Sequence, residues 1–225
     1  MNQKWKITRG PLLAIVLAGV AAAQAPVNKL ADSMAANNKQ LRQYTYKQRT
    51  EIYHQGELKN TKVDEIHYNA GGERISVSLD QPQPEVFRRG PGHRLIARKM
   101  EEEKEKMRDY SERLTALASR YPGPDAARLQ AAISNAEVIT GGSAGRLRIR
   151  MRDYIKPGDS MTISFDLATK WPVRMEINTF LDDAAVSVVV AFDRLHDGPS
   201  YPGEVVMSSS TKQLEIRVFT YEYRM

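Results

Sequence analysis

Four groupings of residues in this chain have types and spacings that could do chemistry. Gly141-Gly142-Ser143-Ala144-Gly145 matches G-x-S-x-G, the turn that lifts a nucleophilic serine to the start of a helix, where backbone N–H groups hold an oxyanion. Here the segment leads into an alternating strand from Arg146, so a flexible glycine loop explains it better; a hydrolase using Ser143 is kept as an alternative. The four histidines, His54, His67, His93 and His196, never stand at i, i+4 and form no H-E-x-x-H pattern. His54 and His67 fall on neighbouring strands, but the turn near Gly56 should pair His54 close to Thr61 and leave His67 farther up the ladder. No metal site and no cofactor are expected. The carboxylate groups Asp64-Glu65, Glu101-Glu102-Glu103 and Asp182-Asp183 read as strand, charged helix face and turn, and nothing selects one for acid–base work.

The fourth grouping is the most informative. Arg146-Leu147-Arg148-Ile149-Arg150-Met151-Arg152 alternates strictly, so Arg146, Arg148, Arg150 and Arg152 share one face of a strand and the apolar residues share the other. Four guanidinium groups in a row repel unless something compensates. Two readings stand side by side. In the structural one, Asp166, Glu176 or the acidic start of a long helix pairs with them. In the functional one, they form an anion-binding or docking face.

These residues need elements to position them. Val27, Leu30, Met34 and Leu41 recur at near-helical spacing, with Asn37-Asn38 weakening the far end of that helix. A three-strand meander follows: Tyr44 to His54, Thr61 to Tyr68, and Arg74 to Leu79, the last with Ile75, Val77 and Leu79 inward. A long helix over about Leu95 to Arg120 carries one apolar stripe, Ile96, Met100, Met107, Tyr110, Leu114, Leu117 and Tyr121. Asp125 would cap a shorter helix reaching about Ala136. Strands are then expected at Arg146 to Arg152, Met161 to Leu167, Val173 to Phe180, Ala184 to Phe192, Glu204 to Ser210 and Leu214 to Tyr223. Short turns between them imply antiparallel neighbours, and the segregation of helices from strands implies an α+β fold, a large antiparallel sheet with the helices on one face.

Some of these strands are apolar on both sides. Val186 to Val190 is one. In the last strand Leu214, Ile216 and Val218 point one way while Phe219, Tyr221 and Tyr223 point the other. A sheet apolar on both faces needs two covers, and Val188, Val190, Phe192, Phe219, Tyr221 and Tyr223 are therefore the candidate lining of an apolar ligand site.

The N-terminus reads as an export leader. Lys4, Lys6 and Arg9 precede the apolar core Leu12 to Val20, and Ala21-Ala22-Ala23 supplies small residues for cleavage before Gln24, with cleavage after Ala25 as the other choice. The apolar run from Pro11 to Ala23 falls short of the roughly 20 residues that a spanning helix needs, which weighs against an uncleaved anchor. Residues 1–23 are thus read as a signal peptide and residues 24–225 as a single β-rich domain, periplasmic or secreted. Half of the formal net charge of +6 leaves with the leader. The chain has no cysteine, so its core must stabilise it without disulfides, and no lipidated cysteine can anchor it.

The order of parts resembles the periplasmic lipoprotein-carrier superfamily, LolA- and LppX-like. The residues that carry the likeness are the N-terminal helix running into Tyr44-Thr45-Tyr46, the mid-chain helices, and Asp166-Leu167-Ala168-Thr169-Lys170-Trp171-Pro172-Val173-Arg174. Phe192 to Pro202 is similar to that superfamily's late hairpin. The resemblance implies a curved half-barrel sheet whose concave side, lidded by helices, holds acyl chains. Segments around Tyr154 to Asp159 and Leu181-Asp182-Asp183 also resemble uncharacterised exported bacterial proteins. The expected function is a non-catalytic binding or carrier domain for an apolar or lipid-like ligand in the cell envelope. The alternative is an interaction module docking an envelope protein through the arginine strand. Nucleic acid is not an expected partner, and no transmembrane segment is expected after leader cleavage.

Overall fold

Gln55 and Gly56 close the first hairpin with both residues in the left-handed region, φ 55° and 79°, which matches the twist of the strands they join. Those strands are β1 (Thr45–His54) and β2 (Glu57–Tyr68), so His54 pairs with Glu57 and not close to Thr61. Helix α1, residues 32–41, precedes them. After β3 (Arg74–Ser78) comes helix α2 (His93–Ala118). The remaining strands are β4 (Glu137–Ile139), β5 (Arg146–Arg152), β6 (Ser160–Asp166), β7 (Pro172–Leu181), β8 (Ala184–Arg194), β9 (Ser200–Ser209) and β10 (Leu214–Arg224). β4 was not expected, because three residues are too few to display a period.

This computed structural model describes residues 32–80, 93–121, 129, 131–132, 135–139 and 145–225. The expected leader at 1–23, the Pro-rich stretch after β3 and Ser143 lie outside the described residues, as do the side chains of His93, Ile96 and Met100. Most of the expected helix from Asp125 also lies outside them, although Leu129, 2 % exposed, joins the core. Among the described residues no helix is long and apolar enough to cross a membrane.

The ten strands among the described residues form one antiparallel sheet in the order β3-β2-β1-β10-β9-β8-β7-β6-β5-β4. Every neighbour is also a neighbour in sequence except β1 and β10, whose pairing folds the two halves into one curved sheet. The sheet does not close, and β3 and β4 are its edges. The α+β class and the large curved antiparallel sheet are as expected.

The inner face is apolar from β5 to β10. Ile149, Met161, Ile177, Val188, Met207 and Ile216 are each nearly or fully buried there. Leu114, Leu117 and Ala118 of α2 pack onto that face. Three polar contacts fasten the same half of α2 to the hairpin turns at one end of the sheet. The Tyr110 hydroxyl bonds Ser209 Oγ at 3.2 Å, Arg113 pairs with Asp182, and Tyr121, just beyond the helix, donates to Asp159 at 2.7 Å. Residues 98, 99 and 101–106 of α2 are exposed, and the described side chains of α2 that pack onto the sheet lie in its second half.

The third strand faces the other way from the expectation. Ile66 is fully buried on the inner face, and its partner on β3 is Ser76. Val77 and Ile75 pair with Glu65 and His67 on the outer face, and Val77 and Leu79 are 47 % and 46 % exposed. Alternation in β3 distinguishes two sides but does not say which is inward; that is inherited from the register with β2.

Candidate functional site

The four arginines of β5 share the outer face, with Ile149 and Met151 buried behind them. Three have acidic company. Arg148 lies 3.3 Å from Glu176, which also takes Arg174 at 2.8 Å. Arg152 lies 3.3 Å from Glu137 on β4. Arg146 opposes Asp166, whose carboxyl is held below its ordinary range chiefly by the Thr169 backbone N–H and hydroxyl, with Arg146 adding to the effect.

Arg150 differs. Half-buried between Thr162 on β6 and Glu137 on β4 in the ladder, it makes no hydrogen bond or ion pair with any described residue, Glu137 being taken by Arg152. It borders two hollows, about 320 Å³ and about 490 Å³, which meet at Arg150, Arg152 and Asp153. The carboxylates in their walls are already engaged. Asp159 accepts the backbone N–H groups of Tyr154, Ile155 and Lys156 at 2.6, 3.0 and 3.1 Å, and Asp153 accepts that of Gly158 at 2.6 Å. These bonds make the β5–β6 loop a fixed wall.

The six expected ligand residues do not come together. Val188 and Val190, 1 % and 0 % exposed, sit on the inner face within the packed core, and Phe192 packs against it. Phe219 and Tyr221 pair with Arg49 and Lys47 on the outer face, and Phe219 lies 4.8 Å beneath the Arg49 guanidinium.

Tyr223 leaves its expected face. Between Lys47–Tyr221 and Thr45–Arg224 the ladder slips by one residue, and Glu222 takes φ 53°. This bulge turns the Tyr223 ring onto Tyr46, stacked at 4.7 Å, and against Tyr201 at 4.4 Å. Burial pushes the Tyr46 phenol up to about 12 and raises that of Tyr223 as well. Under α2 the inner face is shielded from solvent, with Leu114 and Tyr121 both fully buried.

Sequence reasoning also missed Asn37. Its side-chain amide donates to the Ser200 carbonyl and accepts the Ser200 N–H, both at 2.7 Å, and so ties α1 to β9. The available signal was its position three residues after Met34, on the same helical face and equally buried at 7 %. Ser143 cannot be placed against any histidine, since it lies outside the described residues. Among the described residues no three His, Asp or Glu side chains gather as a metal ion would require.

No family model and no curated protein matches the chain. Three solved structures align with most of its length. An outer membrane lipoprotein-sorting protein domain from Vibrio parahaemolyticus is 8 % identical, with 89 % of this chain and 92 % of that one covered at a TM-score of 0.44. A DUF1329 family protein from Desulfovibrio piger is 11 % identical over 90 % and 92 %, TM-score 0.46. A LolA superfamily protein from Nitrosomonas europaea is 8 % identical over 90 % and 93 %, TM-score 0.40.

Proposed function

We propose that this chain is an extracytoplasmic, non-catalytic binding or carrier domain for an apolar or lipid-like ligand, held on the inner face of the sheet when α2 lifts. One observation carries the reading: a continuous apolar face from β5 to β10 is covered in part by the second half of α2, fastened at three turn contacts. A ligand reaching the buried side chains of that face would displace α2. The Leu114 and Leu117 stripe would be exchanged for ligand carbon at little cost in buried apolar area.

A covalent bridge tests this in a chain that has no cysteine of its own. Arg113→Cys with Asp182→Cys, joined by a short bis-maleimide, fixes α2 at a contact already present. Native mass spectrometry after exposure to phospholipid vesicles should show lipid on the unbridged double variant and none on the bridged one. A wild-type protein that copurifies with no lipid and acquires none ends this reading.

A second reading is docking of an envelope protein through the outer arginine face, which makes no demand on the inner face. Arg150 favours it, being a half-buried guanidinium without a described partner at the meeting of two hollows. Arg150→Gln should then abolish envelope association without lowering the melting temperature, and unchanged association would refute it.

A further inference from the structure

A third hollow, about 510 Å³, lies at the hairpin end of the sheet between β1, β9 and β10, where Ser209 in its lining bonds Tyr110 of α2. Two turns build it, Gln55-Gly56 and residues 210–213, and the Gln55 N–H joins them by donating to the Gln213 carbonyl at 2.8 Å. Its charged groups are engaged with one another. Arg217 Nε bonds Glu215 at 2.7 Å and its guanidinium lies 5.2 Å from the Tyr53 ring, while the Tyr53 hydroxyl donates to Glu51 at 2.9 Å.

The uncommitted groups are neutral. The side chains of Gln55, Ser208, Ser210 and Gln213 make no hydrogen bond with any described residue. Amides and hydroxyls both donate and accept, which is also true of a sugar hydroxyl. Both glutamines are held at positive φ, 55° and 48°, where long side chains are uncommon and glycine would sit without strain. Two such residues bonded to each other at one hollow are strain of the kind that gathers at functional sites.

We infer that this hollow binds a neutral, polyhydroxylated ligand, an oligosaccharide, with Gln55, Gln213, Ser208 and Ser210 reading its hydroxyls and Tyr53 packing against a sugar ring. An anion would have to break Arg217 from Glu215, and a cation would have to do the reverse. An apolar ligand would bury four amide and hydroxyl groups without partners. The hollow falls within the roughly 300–1,000 Å³ usual for small-ligand sites. The inference does not rest on the reading of the inner face: the two share β9 and β10, but Gln55, Ser208, Ser210 and Gln213 make none of the contacts that fasten α2.

Titration of the purified protein with maltotetraose, cellotetraose and tetra-N-acetylchitotetraose, followed by backbone amide NMR, tests it. At least one sugar should shift Gln55, Ser208, Ser210 and Gln213 saturably, whereas inorganic phosphate should leave them in place. Gln213→Gly removes the amide and relieves the left-handed backbone, so it should weaken that binding at least tenfold with an unchanged or higher melting temperature. Shifts with none of the three sugars, shifts with phosphate instead, or an unaltered dissociation constant in Gln213→Gly would each overturn the inference.

Discussion

The Tyr121 hydroxyl donates to Asp159 Oδ2 at 2.7 Å, joining the residue just past α2 to the loop between β5 and β6. Asp159, 3 % exposed, also organises that loop by accepting three backbone N–H groups. One carboxylate therefore shapes a turn and secures the helix that covers the inner face.

Replacing it should be costly. Asp159→Ala strands three backbone donors and leaves the Tyr121 hydroxyl with Thr179 alone, and hydrogen bonds to a charged acceptor count for more than neutral ones, so a loss of about 3 kcal/mol is expected. Tyr121→Phe removes only the hydroxyl and should cost about 1 kcal/mol. Denaturant unfolding of both variants measures this, and equal losses would show that the loop does not depend on Asp159.

The two halves of α2 should respond differently to truncation. Leu114 is fully buried, and Leu114→Ala should destabilise by about 3 kcal/mol through lost burial and the cavity left behind. Glu102 is exposed and, among the described residues, paired with Arg98 alone, so Glu102→Ala should change stability by less than about 0.5 kcal/mol. Similar effects at both sites would mean that α2 packs along its whole length.

The arginine face should divide in the same way. Arg148 shares Glu176 with Arg174 at partly exposed positions, so Arg148→Gln should cost about 0.5 kcal/mol, while Arg150→Gln, with no described partner to lose, should cost nothing measurable. Thermal melts of the two variants decide it. A marked loss from Arg150→Gln would assign that residue a structural role.

Alkaline pH should unfold the protein through its tyrosines. Burial raises Tyr46 and Tyr121 from 10.0 to about 12, because it disfavours the phenolate. Above pH 10 the unfolded chain has released protons that the folded one retains. The stability these groups contribute is therefore complete below pH 10 and is lost as pH rises toward 12. Phenolate absorbance should rise in two stages, the second coinciding with loss of circular dichroism. A single early rise with the fold intact would contradict the burial of these rings.

Asn37→Ala should loosen α1 by about 2 kcal/mol, since it leaves the backbone N–H and carbonyl of buried Ser200 unpaired. Hydrogen exchange at the Ser200 amide reports it directly, and unchanged protection there would mean that other contacts hold α1.

Much of the fold was legible because it is local. The six C-terminal strands and the long helix follow from periods of two and 3.6, and from turns such as Lys156-Pro157-Gly158-Asp159 and Asp182-Asp183. The candidate site was less legible. Four arginines on one face follow from alternation alone, but Arg150's lack of a partner depends on where Glu137 and Glu176 arrive from other strands. The third hollow is assembled from turns more than 150 residues apart, and nothing in either turn announces the other.

By itself the sequence determined the α+β class, most strand positions and the existence of an arginine face, all of which depend on neighbours within a few residues. The tertiary structure decided which side of each strand faces inward. Val77 and Leu79 turned outward because Ile66 fixed the register of β3. Tyr223 crossed to Tyr46 because a left-handed Glu222 added one residue to the ladder. Asn37, which weakens a helix by its own preference, holds α1 in place through a partner 163 residues away. A side chain's type sets what it can bond, but only the approach of distant backbone sets what it does bond, and desolvation then makes that choice costly to undo.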